Sequence, residues 1–205
     1  SGNSAESAGY HGGGIYNDNG ILTITGSEIS DNSVTADYGG GIYNESGTLT
    51  ITGSIISYNS AYYGGGIYNE SGTLTITDST ISYNSADSDG GGIYNESGTL
   101  TITGSIISYN SADDYGGGIN NGSGTLTITG GTISGNTATN GDGGGIYIYD
   151  SSPTIQNNTI SGNTASTGNG GGIYIKSGSP TIGGANESDT ANFNTICGNT
   201  PDQIS

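Results

Sequence analysis

Arginine, methionine and tryptophan are missing from this 205-residue chain, and lysine, histidine, cysteine and phenylalanine occur once each. The shortage of positive charge excludes most. With 18 acidic residues against Lys176, the formal net charge is -17, so the chain has no basic patch to offer nucleic acid or anionic lipid. The lone Cys197 excludes an internal disulfide, and no Cys/His cluster has zinc-site spacing. No apolar run reaches the length of a membrane span, which argues against membrane insertion, and no signal-peptide pattern is present. Without methionine, residue 1 is no translation start, so the chain reads as a processed or excised piece. A chain poor in lysine and rich in Tyr, Ser, Thr, Asn and Gly has the composition of a secreted or cell-surface protein.

Glycine, in contrast, supplies 42 residues, and Gly-Gly-Gly triplets begin at 12, 39, 64, 90, 116, 143 and 170. The steps of 25 to 27 residues mark a repeat array whose units bury their apolar faces only by stacking. Within a unit, Thr48-Leu49-Thr50-Ile51-Thr52 alternates apolar and polar residues strictly, the pattern of a strand with one buried face. Gly39 to Asn44 and Ile55 to Ala61 supply two further strands, and no window carries helical spacing. The expected fold is therefore an all-β parallel solenoid with three short strands per coil of about 26 residues and seven to eight coils. One domain over 1–205 is expected, with 1–11 ending a preceding coil, 12–182 forming the repeat coils, and 183–205 holding an insertion and the C-terminal edge.

Asparagines recur at two registers. Asn44, Asn69, Asn95 and Asn121 close the first strand, while Asn59, Asn84, Asn110 and Asn136 close the third. A side-chain amide both donates and accepts, so these residues are expected to form ladders that satisfy turn backbone. Asn44, Asn69, Asn95 and Asn121 also fit glycosylation sequons, as do Asn157 and Asn186, and the structural use is the preferred reading.

Gly64 to Ile67, together with Ile56 to Asn59, resembles the paired GGAI and FxxN motifs of polymorphic outer-membrane-protein repeats, with Ile where that family has Phe. The resemblance covers nearly the whole chain. It implies a right-handed parallel β-helix of three sheets, of the pectate-lyase-like group, on a secreted or surface-anchored bacterial protein.

Polysaccharide lyases and hydrolases of similar fold use a basic residue near clustered carboxylates, to take a proton or to bind acidic sugar. Only His11 and Lys176 are basic, and about six coils, roughly 29 Å, separate them. No enzyme is expected. Asp87, Asp89, Asp113 and Asp114 crowd the turn before Gly-Gly-Gly, where calcium is the hard cation that carboxylates would take; no other cofactor is expected. Tyrosines form two outward columns, one of them after the first-strand isoleucine.

Thr48, Thr50 and Thr52, Thr73, Thr75 and Thr77, Thr99, Thr101 and Thr103, and Thr125, Thr127 and Thr129 form an uncharged grid. It is similar to the Thr-x-Thr faces of β-solenoid ice-binding proteins. The leading expectation is a non-catalytic structural or adhesive β-helix that associates end to end with itself. Ice binding through the threonine face is the alternative, and a glycan-binding or glycan-degrading β-helix ranks third.

Overall fold

The computed structural model describes residues 2–5, 11–183, 194–201 and 204–205. Four parallel sheets of seven strands each run along the molecule, and every strand pairs with its equivalents one coil before and after. One coil comprises Ile67–Asn69, Thr73–Thr77, Thr80–Ser82 and Ser85–Ala86. We name these the tyrosine, threonine, third and fourth sheets. No helix occurs among the described residues.

The fourth strand corrects the expected three per coil. The segment read as one strand from Ile55 to Ala61 breaks at Tyr58, whose φ of 55° turns the chain before Ser60–Ala61. Tyr83 and Tyr109 take the same left-handed conformation, and Gly135 and Gly162 replace them in later coils. The corner costs a bulky residue steric energy, and glycine is its usual occupant.

Stacking like on like makes the core. Leu49, Leu74 and Leu100 align in register, as do Ile51, Ile76 and Ile102, and all are essentially inaccessible to water. Isoleucines of the tyrosine and third sheets, such as Ile67 and Ile81, complete the column. The residues between them along the threonine strand point outward, as period two requires.

The Gly-Gly-Gly segment lets neighbouring coils touch backbone to backbone. A Cβ at Gly91 would overlap the carbonyl oxygens of Ser111 and Gly117. Ser4 pairs with Ser33, so residues 4–5 fall in the fourth sheet, the register expected for the end of a coil. Of the insertion expected around Gly183 to Asn192, all but Gly183 lies outside the described residues. Beyond it, Thr195–Cys197 rejoins the third sheet beside Thr159–Ser161.

Polar side chains line three corners. Asn44 Nδ2 donates to Asn69 Oδ1, Asn69 to Asn95 and Asn95 to Asn121, each at 2.7 Å, with second bonds to the carbonyls of Gly47, Gly72 and Gly98. In the other ladder Asn84 Oδ1 accepts from both the backbone N–H and Nδ2 of Asn59, while Asn84 Nδ2 donates to Ile56 and Asn110. Asn110 and Asn136 repeat the arrangement. All these amides are buried and fully used, which matters because an orphaned one would cost about 1–3 kcal/mol. The third corner carries serine hydroxyls: Ser54 donates its N–H to Ser79 Oγ and Ser79 to Ser105 Oγ.

Candidate functional site

The threonine sheet presents the most regular surface. Thr73, Thr75 and Thr77 align with Thr48, Thr50 and Thr52 on one side and with Thr99, Thr101 and Thr103 on the other, and Thr125, Thr127 and Thr129 follow. The central column is longer than the sequence suggests. Thr23, Thr50, Thr75, Thr101, Thr127, Thr154 and Thr181 stand in register through all seven coils. Thr154 and Thr181 follow prolines that disguise their strands as departures from the repeat. Asp78 lies at the corner beyond Thr77, so its charge borders the grid rather than interrupting it.

The acidic turn divides into pairs. Asp87 and Asp113 follow the aligned alanines Ala86 and Ala112 and are both exposed. Asp89 is half-buried, accepts from the Tyr115 N–H at 3.0 Å, and is electrostatically coupled to Asp114. Burial pushes the Asp89 carboxyl up to about 6 against the opposing Tyr115 hydrogen bond. Among the described residues no group of three or more His, Cys, Asp or Glu side chains is arranged to hold a metal ion. These four aspartates therefore offer carboxylate pairs, which fall short of the six to eight oxygen ligands calcium prefers.

A site the sequence reading missed lies on the outer face of the tyrosine sheet. Tyr43 and Tyr68 point away from the core yet are only 4 % exposed, because Tyr38 from the preceding turn folds over them. Its ring centroid lies 6.0 Å from Tyr43 and 4.7 Å from Tyr68. Tyr63 covers Tyr94 and Tyr115 covers Tyr147 in the same way. The outward column expected after the first-strand isoleucine is thus a second, covered aromatic layer.

Three phenols in this layer each reach a carboxylate one coil on. Tyr16 donates to Glu45, Tyr43 to Glu70, and Tyr68 to Glu96 at 2.6 Å. The hydrogen bond to Glu45 pushes Tyr16 up to about 12, and burial followed by the carboxylate bond raises Tyr43 and Tyr68 further. Glu45, Glu70 and Glu96, with Tyr38, Tyr43, Tyr68 and His11, line a half-open cavity of about 330 Å³. The recurring Tyr-Asn-Glu triplet was the available signal. It is cryptic because each tyrosine bonds the glutamate of the next triplet, not its own.

The other tyrosine column is open to solvent. Tyr58, Tyr83 and Tyr109 stack with centroids 5.1 and 5.2 Å apart and nearly parallel planes. Stacked in this way they offer ring edges rather than faces, a poor platform for a sugar ring. The sequons at Asn44, Asn69, Asn95 and Asn121 are structurally closed, since those side chains are fully buried in their ladder. Asn157 is exposed, and Asn186 lies outside the described residues.

Soft metal donors are not gathered. The sequence has no methionine; His11 Nδ1 sits 2.9 Å from Asp37 Oδ1 at one end, and Cys197 occupies the last coil. His11 and Lys176 likewise stay apart, in the first and last coils.

A search of curated proteins and of solved structures finds no match to this chain. A family profile described as "Periplasmic copper-binding protein (NosD)" matches residues 1–200. The parallel β-helix repeat implied by the motif resemblance agrees with that assignment, and a periplasmic family agrees with the expected location outside the cytoplasm. With nearly its full length inside the profile and its coils stacked in register, the chain belongs to the NosD family.

Proposed function

We propose that this extracellular or periplasmic β-helix module is non-catalytic and acts as a rigid adhesive or structural surface. One observation carries the reading: the two basic side chains lie at opposite ends of the solenoid, and His11 is already engaged by Asp37. Acid–base chemistry on a glycan needs its proton donor and acceptor within reach of one bond. Assays against acidic and neutral glycans should show no turnover. Turnover lost in Lys176→Ala or His11→Ala would overturn the reading.

Copper does not enter it. The family description names that metal, but a chain without methionine, whose single His and single Cys lie in different terminal coils, lacks the donor set copper prefers. Calcium at the aspartate pairs is a weaker proposal on carboxylate chemistry alone.

The seven-coil threonine column supports a second reading, ice binding. A lattice-ordering surface requires flatness, regular hydroxyl and methyl spacing, and no charge. The rows repeat about 4.8 Å apart between coils and about 6.7 Å along a strand. Thr75→Lys with Thr101→Lys should abolish ice recrystallisation inhibition while leaving thermal stability nearly unchanged, because Leu74 and Leu100 remain buried. Absence of inhibition in the unaltered protein would remove this reading.

End-to-end association is also proposed, since among the described residues the outermost strand Ile21–Thr25 pairs on one side only and leaves Leu22 partly exposed. Light scattering that reports a monomer at high concentration would contradict it.

A further inference from the structure

The covered tyrosine layer combines unbroken ring contact with a proton acceptor at each of three phenols. Ring centroids lie 5.3 Å apart from Tyr16 to Tyr43, 5.3 Å from Tyr43 to Tyr68, and 5.1 Å from Tyr68 to Tyr94. Tyr38 and Tyr63 bridge the column from outside, 5.6 Å from each other, and Tyr62 adjoins Tyr63 at 4.7 Å. Each step is within the range of direct aromatic contact. Tyr16 and Tyr62 meet solvent, while Tyr43 and Tyr68 between them are buried.

A phenol gives up an electron readily only when its proton leaves as well, because the phenol radical cation is a strong acid. Tyr16, Tyr43 and Tyr68 already hold their O–H groups on Glu45, Glu70 and Glu96, so a proton can cross without an intervening water. Those glutamates border the half-open cavity, which lets the transferred proton reach solvent while the rings stay covered. The chain also contains its own contrast. Tyr115, Tyr147 and Tyr174 pack ring on ring in the same way, at 4.7 and 5.5 Å, yet Lys176 occupies the register one coil beyond Tyr147 where a carboxylate would stand. Gly122 occupies it beyond Tyr94. No tryptophan or methionine competes for oxidation, and Cys197 lies far away in the last coil.

We propose that this layer is a one-electron redox site that serves a diffusible one-electron oxidant at the surface. The oxidant gains an electron from Tyr16 or Tyr62, and neighbouring rings refill the vacancy in turn. The vacancy comes to rest on Tyr43 or Tyr68 as a neutral phenoxyl radical: the phenol O–H bond breaks, the proton bonds to Glu70 or Glu96, and no other bond changes. A one-electron reductant reverses both transfers. The site is independent of whether the module is structural, adhesive or ice-binding.

Flash oxidation by photogenerated tris(bipyridine)ruthenium(III) tests it, with tyrosyl radical formation followed by transient absorption. Glu45→Gln, Glu70→Gln and Glu96→Gln together leave an amide oxygen for each phenol but accept no proton at neutral pH, and should slow the leading phase about tenfold or more. Glu28→Gln, Asp31→Asn and Asp150→Asn remove the same charge from exposed positions and should leave the rate within about twofold. Equal slowing by both sets would mean that the acidic chain merely concentrates a cationic oxidant, and would overturn the proposal. Tyr58→Phe, Tyr83→Phe and Tyr109→Phe delete the solvent-open stack, and loss of the leading phase there would place the radical on the wrong column. The unaltered protein gives a readout that needs no variant. The leading phase should slow in deuterium oxide, and an unchanged rate would also overturn it.

Discussion

Asp89 couples folding to pH through one proton. Its carboxyl is pushed by burial from the ordinary 3.8 up to about 6, so between those values the folded chain binds a proton that the unfolded chain has released. The associated stability is complete below about pH 4 and is lost as pH rises through about 6. Asp89→Asn should flatten this slope and raise stability at pH 7 by roughly 1–3 kcal/mol. Urea denaturation at pH 4 and pH 7 measures the change, and an unaltered slope would assign the proton elsewhere. Asn95 gives the opposite sign. Truncation to alanine strands the Asn69 amide N–H and Asn121 Oδ1, both buried, and should cost about 2–4 kcal/mol in the same assay. The asparagine ladders were legible because a side-chain amide recurs at one register and can both donate and accept at every step. The phenol-to-carboxylate bonds were not, since each tyrosine passes over the acidic residue of its own triplet to bond the glutamate of the next.

At the scale of the strand, alternation and period alone assign Leu and Ile to the buried face and Thr to the outer one, as the structure has them. The fourth strand escaped because Ser60–Ala61 is two residues long and follows a tyrosine, a residue that rarely marks a left-handed corner. Gly135 and Gly162 at the equivalent register carried the missing information. Burial of the outward tyrosines escaped for another reason: periodicity reports which face a residue takes, not whether a turn folds back over that face. Gly91→Ala tests how close the coils stand. A methyl group there meets backbone oxygens, which cannot move aside as a side chain can, so a loss of about 3 kcal/mol or more is expected in thermal or urea unfolding. Full stability in that variant would mean that the coils separate more easily than their hydrogen bonds suggest.

For the whole molecule, composition bears on the metal that the family description names, since the chain has one histidine, one cysteine and no methionine. Equilibrium dialysis with Cu(I) and Cu(II) should find no stoichiometric tight site, and His11→Ala with Cys197→Ser should change nothing. Tight copper retained by the unaltered chain and lost in that variant would show that the two terminal coils meet in an assembly. The corner ladders also give the rod a direction. Asn44, Asn69 and Asn95 in one column and Asn59, Asn84, Asn110 and Asn136 in the other donate Nδ2 to the Oδ1 of the following coil, and Ser54 and Ser79 send their backbone N–H groups the same way. Amide dipoles aligned over successive coils add, as peptide dipoles do along a helix, leaving partial positive charge toward the C-terminal coils and partial negative charge toward the N-terminal ones. The solenoid is therefore a vector. A second rod could prolong these columns only by arriving head to tail, and an anion would be drawn to one end where a cation would be drawn to the other.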